Sequence, residues 1–264
     1  MSKYLFGRTG ELLDPQFTAL SDLLDGSTID HLEEIGVAEG WQCLEVGGGG
    51  GSIAKWLAER VGPSGDVTAT DLEVDRLSAV AGDNLTVLQH DVVTDVLPRN
   101  AYDLVHARLV LIHIPERLAV LDKLVRSLRP GGVLLLDEFD CPPLHVVAAP
   151  SEEDAELITR ARGALLGLLE RAGADLVWGT RIHGALIRAG LSDVRATRST
   201  EEWKGGSPGC RLVLTGVQQA AAKILAAKLL TEAELERFGE LMLDPTVRLG
   251  SYGICSAWGR RAVR

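Results

Sequence analysis

Five consecutive glycines, Gly47 to Gly51, stand between the segments WQCLEV and SIAKWLAERVG. Glycine adopts positive φ at no steric cost and lets a ligand approach the backbone closely. A helix that opens directly after such a turn aims unsatisfied amide groups at the same space. These residue types point to a small polar ligand across the carboxyl end of the first strand, at a topological switch point. Gly47, Gly49 and a later glycine also fit a G-x-G-x-x-G dinucleotide pattern, which is weak when it stands alone. Glu45 weighs against it, because a carboxylate there repels a pyrophosphate and attracts an ammonium or sulfonium.

The elements that must position this turn are legible from periodicity. PQFTALSDLLD and STIDHLEEIGV read as two helices within the first 40 residues, the second capped by Ser27 or Thr28. Strands and helices then alternate. WQCLEV, DVTATD, LTVLQHD, YDLVHARL and VLLLDEF read as strands one to five. SIAKWLAERVG, VDRLSAVAG and PERLAVLDKLVRSLRPGG read as the helices between them. Continuously apolar strands separated by helices imply a parallel sheet covered on both faces. Beyond residue 140, Ser151 and Asp154 form a capping box for a helix over about 151–172, with Gly173 as its stop. WGTRIHGALIRAG is a further helix and LSDVRATRST a sixth strand. Helical segments fill about 208–243, opened by Ser207-Pro208 and by a second capping box, Thr231 with Glu234.

The chain has 264 residues, 46% hydrophobic and 24% charged, enough for a substantial core. No apolar run reaches the roughly 18 residues that span a bilayer. MSKYLFGRTGELLDP lacks the apolar core and cleavage site of a secretory signal. Cys43, Cys141, Cys210 and Cys255 form no CxxC pair, so neither a metal site nor a disulfide framework is expected, and a cytoplasmic location is. Residues 1–150 carry 11 basic against 23 acidic side chains, and residues 151–264 carry 16 against 14. An acidic chain without a dense basic patch argues against nucleic acid as the partner.

Taken in order, five segments resemble the class I S-adenosylmethionine-dependent methyltransferases over about residues 40–140. They are Glu45 with Gly47, Gly49 and Gly51; Asp71 in TATDL; Asp91 in LQHDVV; HARLVLIHIP after strand four; and LRPGG before strand five. The resemblance implies an α/β, Rossmann-like fold with a seven-stranded, mostly parallel sheet whose last strand, SYGICSAWG, is antiparallel. It implies a single domain over 1–264: a helical lid at 1–40, a cofactor-binding core at 41–140, and the rest of the sheet with inserted helices at 141–264. S-adenosyl-L-methionine is the implied cofactor and S-adenosyl-L-homocysteine its product. Asp71 would meet the ribose, Asp91 and Val92 the adenine, and Ala107 and Arg108 the methionine portion, with Leu72 also among the cofactor-binding residues. Without that resemblance, Asp71 also reads as a strand-end carboxylate and Asp91 as a turn cap through its own backbone.

In that family the methyl donor carries its own leaving group, so alignment and exclusion of water are the protein's main tasks. A general base is needed only for an acceptor that is protonated at neutral pH. His113 and His145, in the loops after strands four and five, are the candidates. His106 reads as a packed strand residue. Tyr4, Phe6 and Arg8 suit a lid over the acceptor. Trp178 and Trp203, with the added helices, suit either an acceptor pocket or a homodimer interface. The expected activity is methylation of a small molecule, with a secondary metabolite as the candidate acceptor. A cyclase or rearrangement catalyst on the same fold and a non-catalytic binding subunit are the alternatives. An NAD-dependent oxidoreductase is the weakest, because no tyrosine-x-x-x-lysine pair accompanies the glycines.

Overall fold

The computed structural model describes residues 13–143 and 145–263. They form two compact units. The first, a sheet unit, comprises residues 25–140, 177–198 and the segment from 254 onward. Its strands are β1 (Gln42–Val46), β2 (Asp66–Asp71), β3 (Leu85–Gln89), β4 (Tyr102–Arg108), β5 (Leu128–Asp140), β7 (Leu191–Ser199) and β10 (Gly253–Arg261). They lie in the order β3-β2-β1-β4-β5-β10-β7, mostly parallel with one antiparallel strand. The reversal of order beside β1 is the switch point at which α/β sheets bind ligands. β1 pairs in parallel with β2 and β4, aligning Glu45 with Ala69 on one side and with His106 on the other.

The helices α2 (Ser52–Val61), α3 (Arg117–Ser127) and α5 (Trp178–Arg188) follow the expected positions. Ile53, Ala54, Leu57 and Val61 form the buried face of α2 and pack with Val67, Ala69, Leu104 and Leu135 of the strands. Such burial contributes roughly 1.5–3 kcal/mol per large aliphatic side chain.

Three local expectations are corrected. The two predicted N-terminal helices are one, α1 (Leu13–Ile35), which runs straight through Gly26. Thr28 does not cap a helix; its buried hydroxyl donates to Asp137 Oδ2 at 2.8 Å. One mid-helix glycine costs only about 1 kcal/mol, and the buried Leu32 and Ile35 outweigh it. VDRLSAVAG holds only a 3-10 turn, Leu77–Val80, because this short segment packs onto the glycine turn instead of completing a helix. LRPGG lies inside β5, which opens at Leu128 opposite Tyr102, and α3 stops earlier at Ser127.

The second unit is mainly helical and comprises the described residues up to 24, 141–176 and 199–253. α4 (Glu152–Arg171), α6 (Pro208–Ala226) and α7 (Glu232–Leu243) pack on one another. A small antiparallel sheet, β6 (Val146–Ala148), β9 (Arg248–Gly250) and β8 (Glu202–Lys204), completes it and was not anticipated from the sequence. Ser151 Oγ accepts from the Asp154 amide, while the Asp154 carboxylate pairs with Arg237 rather than closing the box. The box at Thr231 and Glu234 is complete.

α5 approaches β5 through Gly179, where an added Cβ would lie 2.7 Å from the Phe139 carbonyl carbon and oxygen. Backbone cannot yield as a flexible side chain does, so Gly179→Ala is expected to destabilise the fold by about 2 kcal/mol. Urea denaturation of the variant measures this, and an unchanged midpoint would mean that α5 shifts freely.

Candidate functional site

The glycine turn has a defined shape. Gly47, Gly49 and Gly51 have φ of 70, 52 and 84°, the left-handed region that favours glycine. These are the same three positions that the sequence pattern singles out. The Gly47 and Gly48 amides donate to the Thr70 carbonyl at 2.8 and 3.0 Å, and Gly51 N–H turns back to Gly48 O at 2.8 Å. Side chains from two other loops press on the turn. A Cβ on Gly47 would collide with Val110, one on Gly48 would lie 2.9 Å from Leu77, and one on Gly51 would lie 2.6 Å from Val80. Gly51 caps α2 without a side-chain acceptor, so no capping side chain occupies its first-turn amides.

Asp71, at the end of β2, is drawn into this turn. Its Oδ2 accepts from the Gly49 amide at 2.9 Å, and Oδ1 accepts from Glu73 N–H at 3.3 Å. A carboxylate has about four acceptor positions, and these bonds use two. Leu72 follows it, half-buried, and its carbonyl accepts from Gln89 Nε2 at 2.9 Å. Asp91 does cap a turn, with Oδ1 accepting from Val93 N–H at 2.9 Å, while its own amide donates to Asp95 Oδ2. Val92 is buried, and its carbonyl accepts from Lys123 Nζ at 2.7 Å.

Glu45 does not stand open to a ligand's charge: it is buried and shares a hydrogen bond of 2.6 Å with His106 Nδ1. The other ring nitrogen of His106 lies 3.2 Å from Asp137 Oδ2. Burial alone would push the imidazole down. The flanking carboxylates of Glu45 and Asp137 overcome it and lift the pKa to about 9. Burial likewise opposes ionisation of Asp137, but bonds and charge from His106, with Ser256 and Thr28 beside it, hold it down at about 2. The centre is an imidazolium between two carboxylates.

The polar chain continues outward. Thr28 Oγ1 accepts from Arg108 Nη1 at 3.2 Å, Arg108 Nη2 pairs with Asp25 Oδ1 at 2.8 Å, and Ser52 Oγ donates to the same oxygen at 3.1 Å. Arg108 therefore ties α1 to the end of β4 and reaches the start of α2 through Asp25. Ala107, beside it, is fully buried between Val46 and Leu136. Leu109 adopts φ of 55°, rare for a branched residue, and donates its amide to the Asp137 carbonyl. That bend delivers Val110 onto Gly47.

The histidine candidates separate. His113 ends a 3-10 turn in the sheet unit, where burial, aided by the Arg117 charge, pushes its pKa down to about 4. It is neutral at pH 7 and a weak base. Its turn is anchored by Glu138, whose carboxyl accepts from the Leu111 and Ile112 amides at 2.9 and 3.4 Å. Burial nevertheless raises Glu138 to about 8. His145 is an exposed side chain of the helical unit, before β6. Trp178 opens α5 in the sheet unit, with the Arg117 guanidinium 5.8 Å from its ring centre. Trp203 belongs to the helical unit, packs over Gly209 and donates its indole N–H to Glu201 at 2.9 Å. Both indoles are buried. Tyr4, Phe6 and Arg8 lie outside the described residues.

Sequence reasoning missed Asp25, Thr28, Asp137 and Glu138. The signal was present in LLLDEFD, where three acids interrupt an apolar strand at its carboxyl end, and all three are buried. A buried acid requires a partner, and no spacing rule names one more than a hundred residues away.

The network sets a pH dependence. Because His106 is raised to about 9, its contribution to stability is complete below its ordinary 6.5 and is lost as pH rises through about 9. Glu138, raised from 4.5 to about 8, adds a decline of its own over that interval. His106→Gln is expected to lower stability at pH 7 by about 3 kcal/mol, because it strands two buried carboxylates. It should also abolish the decline between about pH 8 and 9 while leaving the one below. Chemical denaturation across pH measures both; an unaltered decline between 8 and 9 would assign that proton elsewhere.

Known proteins resemble this chain in sequence and in fold. The profile of the methyltransferase domain family matches residues 44–136, from β1 to the buried part of β5. A ubiquinone/menaquinone biosynthesis C-methyltransferase of Hahella chejuensis is 33% identical over 125 residues, covering 44% of this chain and 50% of the relative. A methyltransferase of Strobilurus tenacellus is 28% identical over 190 residues, covering 71% of this chain and 65% of the relative. The matched stretches thus span from half to just under two thirds of these curated relatives. A phosphoethanolamine N-methyltransferase of Haemonchus contortus, solved with S-adenosyl-L-methionine, superposes with a TM-score of 0.57 at 14% identity. That likeness covers 96% of this chain and 57% of the other. The fold is that of the class I S-adenosylmethionine-dependent methyltransferases, and residues 44–136 match the methyltransferase domain family.

Proposed function

We propose that this chain is an S-adenosyl-L-methionine-dependent methyltransferase acting on a small-molecule acceptor, in the cytoplasm and as a single methyltransferase domain. The observation that carries the reading is the glycine turn: three left-handed glycines with the strand-end carboxylate of Asp71 docked on the middle one. A nucleoside with two free ribose hydroxyls suits the two acceptor positions that remain on Asp71. The uncapped first turn of α2 and the close-packed turn suit a ligand that lies against backbone.

When bound, S-adenosyl-L-methionine supplies a methyl group already activated by its sulfonium leaving group. The chain's own residues then have the task of positioning. Gly47, Gly49, Gly51, Asp71 and Leu72 would hold the ligand beside β1 and β2. Asp91 and Val92 would bound it beyond β3. Glu45 and Arg108 act mainly through their internal partners, keeping the ends of β1 and β4 in place. Neutral His113 and exposed His145 do not form a buried, charged dyad suited to a strong base, and a reaction driven by alignment does not need one. A relative named for C-methylation in ubiquinone/menaquinone biosynthesis supports a small-molecule acceptor, and a secondary metabolite is the acceptor class this reading favours.

Titration calorimetry tests the cofactor. S-adenosyl-L-methionine is expected to bind and NAD not; tight NAD binding with silence toward S-adenosyl-L-methionine would sink the proposal. Asp71→Asn should weaken binding more than tenfold, about 1.4 kcal/mol. Mass spectrometry of reaction mixtures separates transfer, a gain of one methyl, from cyclisation or rearrangement, which gives an isomer of equal mass.

A further inference from the structure

We infer that Arg162, buried within the helical unit, is the receptor for a small-molecule carboxylate. Arg162 sits midway along α4 and is 1% exposed. Its neighbours on the buried face of that helix are Ile158, Ala161 and Leu165. None of Nε, Nη1 and Nη2 has a hydrogen-bond partner. A guanidinium always carries its charge, and a desolvated charge without a partner is among the costliest features a fold can keep.

The unit offers no counter-ion among the described residues. Its one buried acid, Asp154, lies two helical turns earlier and is held through both oxygens by Arg237, at 2.9 Å each. Glu201 accepts from the Trp203 indole. Glu152, Glu153, Glu156 and Glu170 are exposed. What does meet the guanidinium is the face of Tyr252, 4.2 Å from Cζ to the ring centre, and the Arg162 charge also acts on the Tyr252 phenol. Tyr252 in turn meets Trp203 edge to face at 5.4 Å. The stacking fixes the plane of the guanidinium and leaves its N–H groups unsatisfied.

A planar fork with free donors matches a carboxylate, which accepts two parallel bonds. Among the described residues Arg162 is the one buried lysine or arginine, so a monoanion balances the charge and a phosphate dianion does not. The surrounding rings and aliphatic side chains suit an apolar body attached to the acid. At this depth the paired groups would be shielded from water, where a charge-assisted bond is strongest.

Benzoate, benzamide and inorganic phosphate are the probes, followed by calorimetry on the full chain. Benzoate is expected to bind the wild-type protein, with benzamide at least tenfold weaker and phosphate unable to compete. Arg162→Met should lose benzoate affinity at least tenfold. It should also melt at or above the wild-type temperature, because it removes an unpaired buried charge; a purely structural arginine would make the variant melt lower. Unchanged benzoate affinity in Arg162→Met, or equal binding of benzamide, would overturn the inference. Titrating S-adenosyl-L-methionine into the same samples separates the two readings. Arg162→Met should keep wild-type affinity for it, and a wild-type protein that ignores it refutes methyl transfer while leaving the carboxylate site standing.

Discussion

The sheet unit depends on one buried imidazolium. His106 has no exposure, stands in the middle of a seven-stranded sheet, and is tolerable there only because carboxylates meet both ring nitrogens. Each partner comes from a neighbouring strand: Glu45 from β1, Asp137 from β5. The strands must therefore end in register, or three desolvated charges lose their compensation together. Such a network adds little net stability over an apolar core, yet breaking it is expensive. Its effect here is to specify arrangement. The carboxyl ends of β1, β4 and β5 are locked side by side, and the glycine turn leaves β1 one residue after Glu45.

The same chain of bonds recruits helices. Asp137 holds Thr28, Thr28 and Asp25 hold Arg108, and Asp25 holds Ser52 at the start of α2. The α1 segment from Asp25 onward is thereby fastened beside the turn whose ligand it was expected to cover. The turn itself is shaped twice over, by glycines that accept left-handed φ and by Val110, Leu77 and Val80 packed where Cβ atoms would be. A substitution there meets a backbone penalty and a steric one together. In the helical unit the logic is opposite: Arg162 is buried, stacked and left unpaired. One unit closes its charges on itself, and the other keeps one open.

Much of the fold was legible because it is local. Apolar periodicity located β1 to β5, α3, α4, α5 and β10 to within a few residues, and the caps at Ser151 and Thr231 marked real helix starts. Failures arose where tertiary packing overrode a local signal. Ser27 and Thr28 look like a helix start, but burial of Leu32 and Ile35 carries the helix through, and Thr28 is diverted to Asp137. VDRLSAVAG has helical spacing, yet Leu77 and Val80 are used against the glycine turn, so only a 3-10 turn forms. The three-residue strands β6, β8 and β9 are too short to show a period.

The candidate site divides along the same line. Sequence by itself determined the switch-point turn, its glycines and the strand-end carboxylate Asp71, because all of these follow from spacing along one or two neighbouring elements. It could name Glu45, His106 and Arg108 as chemical types but not their partners. Hydrogen bonds between residues separated by 61, 80 or 109 positions are consequences of chain topology. Only the tertiary structure decided that Glu45 is neutralised by His106, that His113 is buried and kept neutral, and that Arg162 has no counter-ion. The physical reason is common to all three: whether a charge is compensated, suppressed or left unpaired depends on its desolvation and its neighbours, and neither is a property of the local sequence.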